Sequence, residues 1–98
     1  MEKFTICVIY TAKDKEARDT FVEELKNNGV LDAIRSENGC LKYEYYSSLE
    51  DETKLVLFEE WQEKSCQQVH MTQPHMKTAM EIKQKYIDKV EIKQINIL

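Results

Sequence analysis

The stretch Phe4–Tyr10 constrains this chain more than any other. Successive strand residues point to opposite sides of a sheet. Here Phe4, Ile6, Val8 and Tyr10 fall on one side, and Thr5, Cys7 and Ile9 on the other. Both sides are largely apolar, and a strand of that kind is covered on both faces. One layer of helices covers only one face, so the other needs a different cover.

The rest of the chain shows what supplies the first cover. Asp14 to Asn28 reads as a helix: Asp14 suits an N-cap, Glu16 sits in the first turn, and Ala17, Phe21, Val22 and Leu25 form an apolar stripe. Asn27-Asn28-Gly29 stops it, with Gly29 free to take a left-handed conformation. Val30 to Ser36 adds a short helical turn through Leu31 and Ile34, and Glu37-Asn38-Gly39 is a turn. Cys40 to Ser47 is a second strand, with Leu41, Tyr43 and Tyr45 on one side and Lys42, Glu44 and Tyr46 on the other. After a polar loop, Ser48 to Glu52, Thr53 to Trp61 runs back antiparallel as a third strand. Gln62 to Val69 is a short helix, with Cys66 and Val69 at i, i+3 as its apolar pair. Past Pro74, a second helical stripe runs through Met76, Ala79, Met80 and Tyr86. Ile87 to Leu98 is the fourth strand. Val90 and Ile92 share one parity and Ile95 and Ile97 the other, which predicts a bulge near Lys93-Gln94.

The order strand, helix, strand, strand, helices, strand is the split βαβ pattern. The fold class is α+β: a ferredoxin-like, four-stranded antiparallel sheet with helices on one face. The uncovered face is too apolar for water, and a second copy packing sheet against sheet as a two-fold homodimer covers it. The 98 residues suffice for one domain spanning residues 1–98, and a domain this small gains from dimerisation. With 33% charged residues and a net charge of -4, the surface is acidic and mixed. No Lys/Arg cluster forms, so nucleic acid is not an expected partner. No apolar run approaches the ~20 residues of a membrane span, and no signal peptide is read at Met1-Glu2-Lys3. The three cysteines have no CxxC spacing and read as reduced thiols of a cytoplasmic protein.

Function concentrates between Leu55 and His75. Leu55, Leu57, Glu59 and Trp61 share one side of the third strand. A carboxylate in that company is either wet at the sheet edge or buried with a partner. His70 follows nine residues after Trp61. A carboxylate, an indole and an imidazole joined by a strand-to-helix turn can line a small apolar pocket. They equally describe a packed strand, a core tryptophan and a helix-end histidine. Tyr43 and Tyr45 read as cross-strand packing or as a wall offering hydroxyls, and Met71, Met76 and Met80 as soft packing in a core or around an apolar guest.

Glu37-x-Gly39-Cys40-Leu41-x-Tyr43, then Asp51, then Leu57-x-Glu59-x-Trp61, then His70-x-Thr72-x-x-His75 together resemble the antibiotic biosynthesis monooxygenase family. Asn38 departs from the proline common there, which changes a turn and not the chemistry. The resemblance implies a dimeric α+β barrel with a pocket between sheet and helices. It also implies several activities: cofactor-independent oxygenases of quinols and polycyclic phenols, isomerases or degraders of the signalling molecule autoinducer-2, and haem-degrading enzymes. Haem-degrading members carry an asparagine in the first strand, and Phe4–Tyr10 has none.

A cofactor-free oxygenase needs a base to strip a phenolic proton so that the anion can give an electron to dioxygen. His70 is the candidate base. Glu59 is a second catalytic candidate, orienting His70 or acting as base itself if burial raises its pKa. Trp61, Tyr43, Tyr45, Met71 and His75 are candidate substrate-binding residues. His70 and His75 stand roughly 500° of helical turn apart, so their rings diverge by about 140°, and Pro74 interrupts the helix. Neither a metal nor any other cofactor is expected, and the two glycines form no phosphate loop. The expected partners are a small-molecule substrate, dioxygen and a second copy of the chain. The alternatives are an isomerase or degrader of a small autoinducer-2-like signal and a dimer that binds a small molecule without turnover.

Overall fold

The computed structural model describes residues 2–95. Its elements are β1 (Phe4–Ala12), α1 (Lys15–Asn27), α2 (Val30–Arg35), β2 (Cys40–Ser47), β3 (Lys54–Trp61), α3 (Lys64–His70), α4 (His75–Tyr86) and β4 (Ile87–Ile95). The strands form one antiparallel sheet in the order β2-β3-β1-β4. This is the ferredoxin-like α+β arrangement expected from the order of patterns.

Register explains which side chains meet. Val8 lies opposite Leu57 and Tyr10 opposite Leu55, while Tyr43 and Tyr45 lie opposite Glu59 and Leu57. Residues directly opposite share a face, so Ile6, Val8, Tyr10, Tyr43, Leu55, Leu57 and Trp61 form one apolar surface. Against it pack Phe21 and Leu25 of α1, Val30, Leu31 and Ile34 of α2, and Ile82 of α4. Leu57 and Trp61 are fully enclosed. Burying each such side chain contributes roughly 1.5–3 kcal/mol, so this layer fixes the register of the sheet against a slip that would turn it outward.

The helix ends follow the sequence signals. Asp14 accepts a hydrogen bond from the Ala17 amide at 2.7 Å, which satisfies one free donor of the first turn. Gly29 takes φ +75° and turns the chain from α1 into α2. The Arg35 Nε–H then donates to the Tyr43 carbonyl at 2.9 Å and ties α2 to the edge strand β2.

Three expectations are corrected. In α3 the buried residue is His70, while Val69 is more than half exposed. In α4, Ile82 is buried and Met80 is half exposed. Pairing of β4 with β1 is unbroken from Ile95 to Lys89, so Lys93-Gln94 carries no bulge. The register shift lies at the other end, where Ala12 pairs with Ile87. Val90 and Ile92 lie opposite Tyr10 and Val8 but stand exposed at the sheet edge. The parity of the apolar residues therefore changes without an inserted residue. Ile97 lies outside the described residues.

The other sheet face carries Cys7, Ile9, Val56 and Phe58, all half-buried, and none belongs to the apolar cluster that packs on the helices. Among the described residues no helix is long and apolar enough to cross a membrane.

Candidate active site

Strand alternation puts Glu59 and Trp61 side by side on the helix-facing side of β3. Glu59 is 5% exposed, and its Oε1 accepts a hydrogen bond from Trp61 Nε1 at 3.0 Å. Of the two situations open to this carboxylate, burial with a partner is the one observed. Burial pushes the Glu59 carboxyl up to about 7; the Trp61 bond pulls it down, and the negative charge of Glu37 adds to the rise. Such a group exchanges its proton near neutral pH.

His70 closes α3 over Trp61. The imidazole is 1% exposed, with its ring centre 4.8 Å from that of Trp61 and 5.7 Å from that of Tyr43. Glu37 fixes it: His70 Nδ1 lies 2.9 Å from Glu37 Oε2 and 3.1 Å from Oε1. The carboxylate bonded to His70 is therefore Glu37, while Glu59 bonds Trp61. Glu37 engages Nδ1 and leaves Nε2, the second ring nitrogen, to other partners. His75 Nε2 also reaches Glu37 Oε2, at 2.7 Å, so one carboxylate joins two imidazoles from different helices.

Gly39 makes this junction possible. Its φ is +82°, and a Cβ there would stand 2.4 Å from Cys66 Sγ. Only a glycine lets the turn between α2 and β2 press this closely on α3. The Gln62 amide donates to the Gly39 carbonyl at 2.7 Å, and Glu37, two residues earlier, comes within reach of both histidines. Burial, then the charges of Glu37 and Glu59, pushes the Cys40 thiol up against a smaller lowering by Arg35. It is therefore no activated nucleophile.

Beside this group a cavity of about 40 Å³ lies between sheet and helices, bordered by Tyr10, Tyr43, Tyr45, Met76, Met80 and Lys83 among others. The rings of Tyr10 and Tyr45 lie 6.1 Å apart and those of Tyr43 and Tyr45 6.0 Å apart. Burial raises all three phenols well above their ordinary range, with further raising by neighbouring tyrosines and by Glu59. Tyr10 belongs to this wall although its sequence reads only as a core strand residue. Its parity with Ile6 and Val8 was the available signal.

Of the residues singled out in the sequence, Glu59, Trp61, Tyr43 and His70 come together, and Tyr45 adjoins them at the cavity. His75 meets the group through Glu37. Met71 does not join: it follows α3 and is 57% exposed, whereas Met76 and Met80 border the cavity. Glu37 was legible as part of a turn and as the first residue of the family-like motif, but not as a partner of the histidines, which are 33 and 38 positions away. Among the described residues no group of three or more His, Cys, Asp or Glu side chains is arranged to hold a metal ion.

A family model described as antibiotic biosynthesis monooxygenase matches residues 5–82. Among solved structures, PA3566 from Pseudomonas aeruginosa is 21% identical, with 100% of this chain and 96% of that chain covered and a TM-score of 0.82. A conserved protein from Methanosarcina mazei Go1 is 24% identical, with 97% and 92% covered and a TM-score of 0.84. A structure named as an antibiotic biosynthesis monooxygenase is 17% identical, with 97% and 98% covered and a TM-score of 0.81. At these identities the likeness is one of fold. No curated protein matches the sequence.

Proposed function

Since the chain belongs to the antibiotic biosynthesis monooxygenase family, we propose that it is a cofactor-independent monooxygenase of a quinol or phenolic small molecule, working as a homodimer. The observation that carries the reading is the buried imidazole of His70, anchored at Nδ1 by Glu37 and packed against the rings of Trp61 and Tyr43. An oriented base in a dry aromatic setting is what deprotonation of a phenol requires.

In this reading His70 Nε2 takes the phenolic proton. The phenolate passes one electron to dioxygen, and the radical pair recombines to a peroxide on the ring carbon. Loss of water leaves a quinone: the ring gives up two hydrogens and gains one oxygen atom, and the other oxygen leaves as water. Glu59, titrating near neutrality, is the second acid-base group, suited to protonating the departing oxygen. Tyr43 and Tyr45 border the cavity as aromatic walls, and Trp61 packs against the base.

A cavity of about 40 Å³ holds about one water molecule, so a guest must displace the flexible side chains of Met76, Met80 and Lys83 at its border. That small volume is also what favours the second reading, a dimer that binds without turnover. Lys83 at the border is the one feature favouring a polar signalling molecule, against three tyrosines and two methionines favouring an aromatic one. For the dimer, the support is the sheet face bearing Ile9, Val56 and Phe58, which no helix of the apolar cluster covers.

Aerobic incubation with a panel of quinols, following oxygen uptake, tests the reading. Wild type is expected to consume oxygen faster than spontaneous autoxidation with at least one member, and His70→Ala to lose that excess. Equal uptake by the two proteins on every quinol removes His70 as the base.

A further inference from the structure

Resting on the reading of His70 as the base, we propose that Glu37 and His75 form the exit route for its proton. A base in a closed site takes up a proton at each turnover and must release it before the next. In that reading the phenol meets Nε2, so release runs through the other ring nitrogen. His70 Nδ1 faces Glu37 Oε2 at 2.9 Å, and the same oxygen meets His75 Nε2 at 2.7 Å.

Exposure rises along this line, from 1% for the His70 side chain to 10% for Glu37 and 24% for His75. Three elements converge to build it: the turn before β2, the end of α3 and the start of α4. A carboxylate needed only to orient His70 would require no second imidazole, and His75 carries the chain of contacts toward solvent.

Glu63 and Cys66 border a surface cleft that Glu37 also lines, while the titratable groups that the sheet brings to His70 do not offer an outlet. Tyr43, from β2, is a phenol whose burial keeps it protonated at neutral pH. Cys40, at the start of β2, keeps its proton for the same reason. Glu59, from β3, lies on the inner side and is bonded to Trp61.

The transfer moves one proton and no electrons. The phenolic proton binds His70 Nε2 and the Nδ1 proton passes to Glu37. Glu37 protonates His75 Nε2 when that ring carries its own hydrogen on Nδ1, and the Nδ1 proton leaves to water. Each imidazole then resets by exchanging tautomers.

The chain has only two histidines, so ¹⁵N-histidine NMR follows the His70 Nδ1 proton without ambiguity. Its exchange with water is compared in wild type, His75→Phe and His75→Gln; the glutamine amide, which reaches as far as Nε2, keeps a donor for Glu37 but relays no proton. Slowing of tenfold or more in both variants is expected. A purely structural His75 predicts the reverse, because removing it loosens the cover over His70. Unchanged or faster exchange overturns the route.

With an active quinol in weakly buffered solution, His75→Phe is expected to lower kcat at constant KM, and added imidazole to restore it. An unaltered kcat overturns the route while the oxygenase reading stands. Slowed exchange in a protein that oxidises no quinol keeps the route and removes the oxygenase reading.

Discussion

Replacing Glu59 by glutamine isolates the energetic consequence of burying an acid on the helix-facing side of the sheet. The carboxyl moves from 4.5 to about 7, chiefly because burial penalises its charged form. At about 1.4 kcal/mol per pH unit, ionising it inside the fold costs about 3 kcal/mol. Below pH 4.5 it is protonated in both folded and unfolded chains, and its full contribution to stability is present. Between 4.5 and 7 the unfolded chain gives up its proton while the folded chain keeps it, so stability falls as pH rises. Above 7 the loss is complete. Glutamine has no proton to lose, and its amide oxygen can still accept from Trp61 Nε1. Glu59→Gln is therefore expected to match wild type near pH 4 and to exceed it by about 3 kcal/mol at pH 7.5 and above. Urea unfolding followed by the fluorescence of Trp61, the single tryptophan, reads this directly at one fixed protein concentration. A constant difference between the two proteins from pH 4 to 8 would refute the burial argument.

Two further substitutions probe the supports of the site. Trp61→Phe keeps an enclosed ring but removes the one contact that lowers the Glu59 carboxyl, so a ¹³C titration of Glu59 should move upward from about 7; a downward shift contradicts the assignment. Gly39→Ala should destabilise far more than Gly29→Ala. Both glycines have positive φ, which alone costs an alanine about 1 kcal/mol, but a Cβ on Gly29 meets nothing within 4 Å while one on Gly39 strikes Cys66. Equal losses in urea unfolding at pH 7 would show that the turn is not tightly seated on α3.

Much of the architecture is legible because alternation and capping are local. Ile6, Val8, Tyr10, Leu55, Leu57 and Trp61 declare their common face by parity alone, and Asp14 and Gly29 mark where α1 begins and turns. What escaped has non-local causes. The helix ending at His70 spans seven residues, two turns in which no periodicity distinguishes Val69 from its neighbour. Glu37 finds its histidines across three elements, and nothing near it in the chain signals a partner 33 positions on. Val90 and Ile92 mimic the parity switch of a bulge because an edge strand can leave apolar side chains exposed. The pairing of Glu59 with Trp61 was readable as shared parity, but the choice between Glu37 and Glu59 as the carboxylate that holds His70 needed three dimensions.

The chemistry itself is tested most directly by the fate of dioxygen. The quinol that gives the greatest excess oxygen uptake is turned over under ¹⁸O₂, and the product is weighed by mass spectrometry. A monooxygenase of the kind proposed places one ¹⁸O atom in each quinone and sends the other to water. Quinone free of ¹⁸O, or no quinol on which uptake exceeds autoxidation, contradicts it.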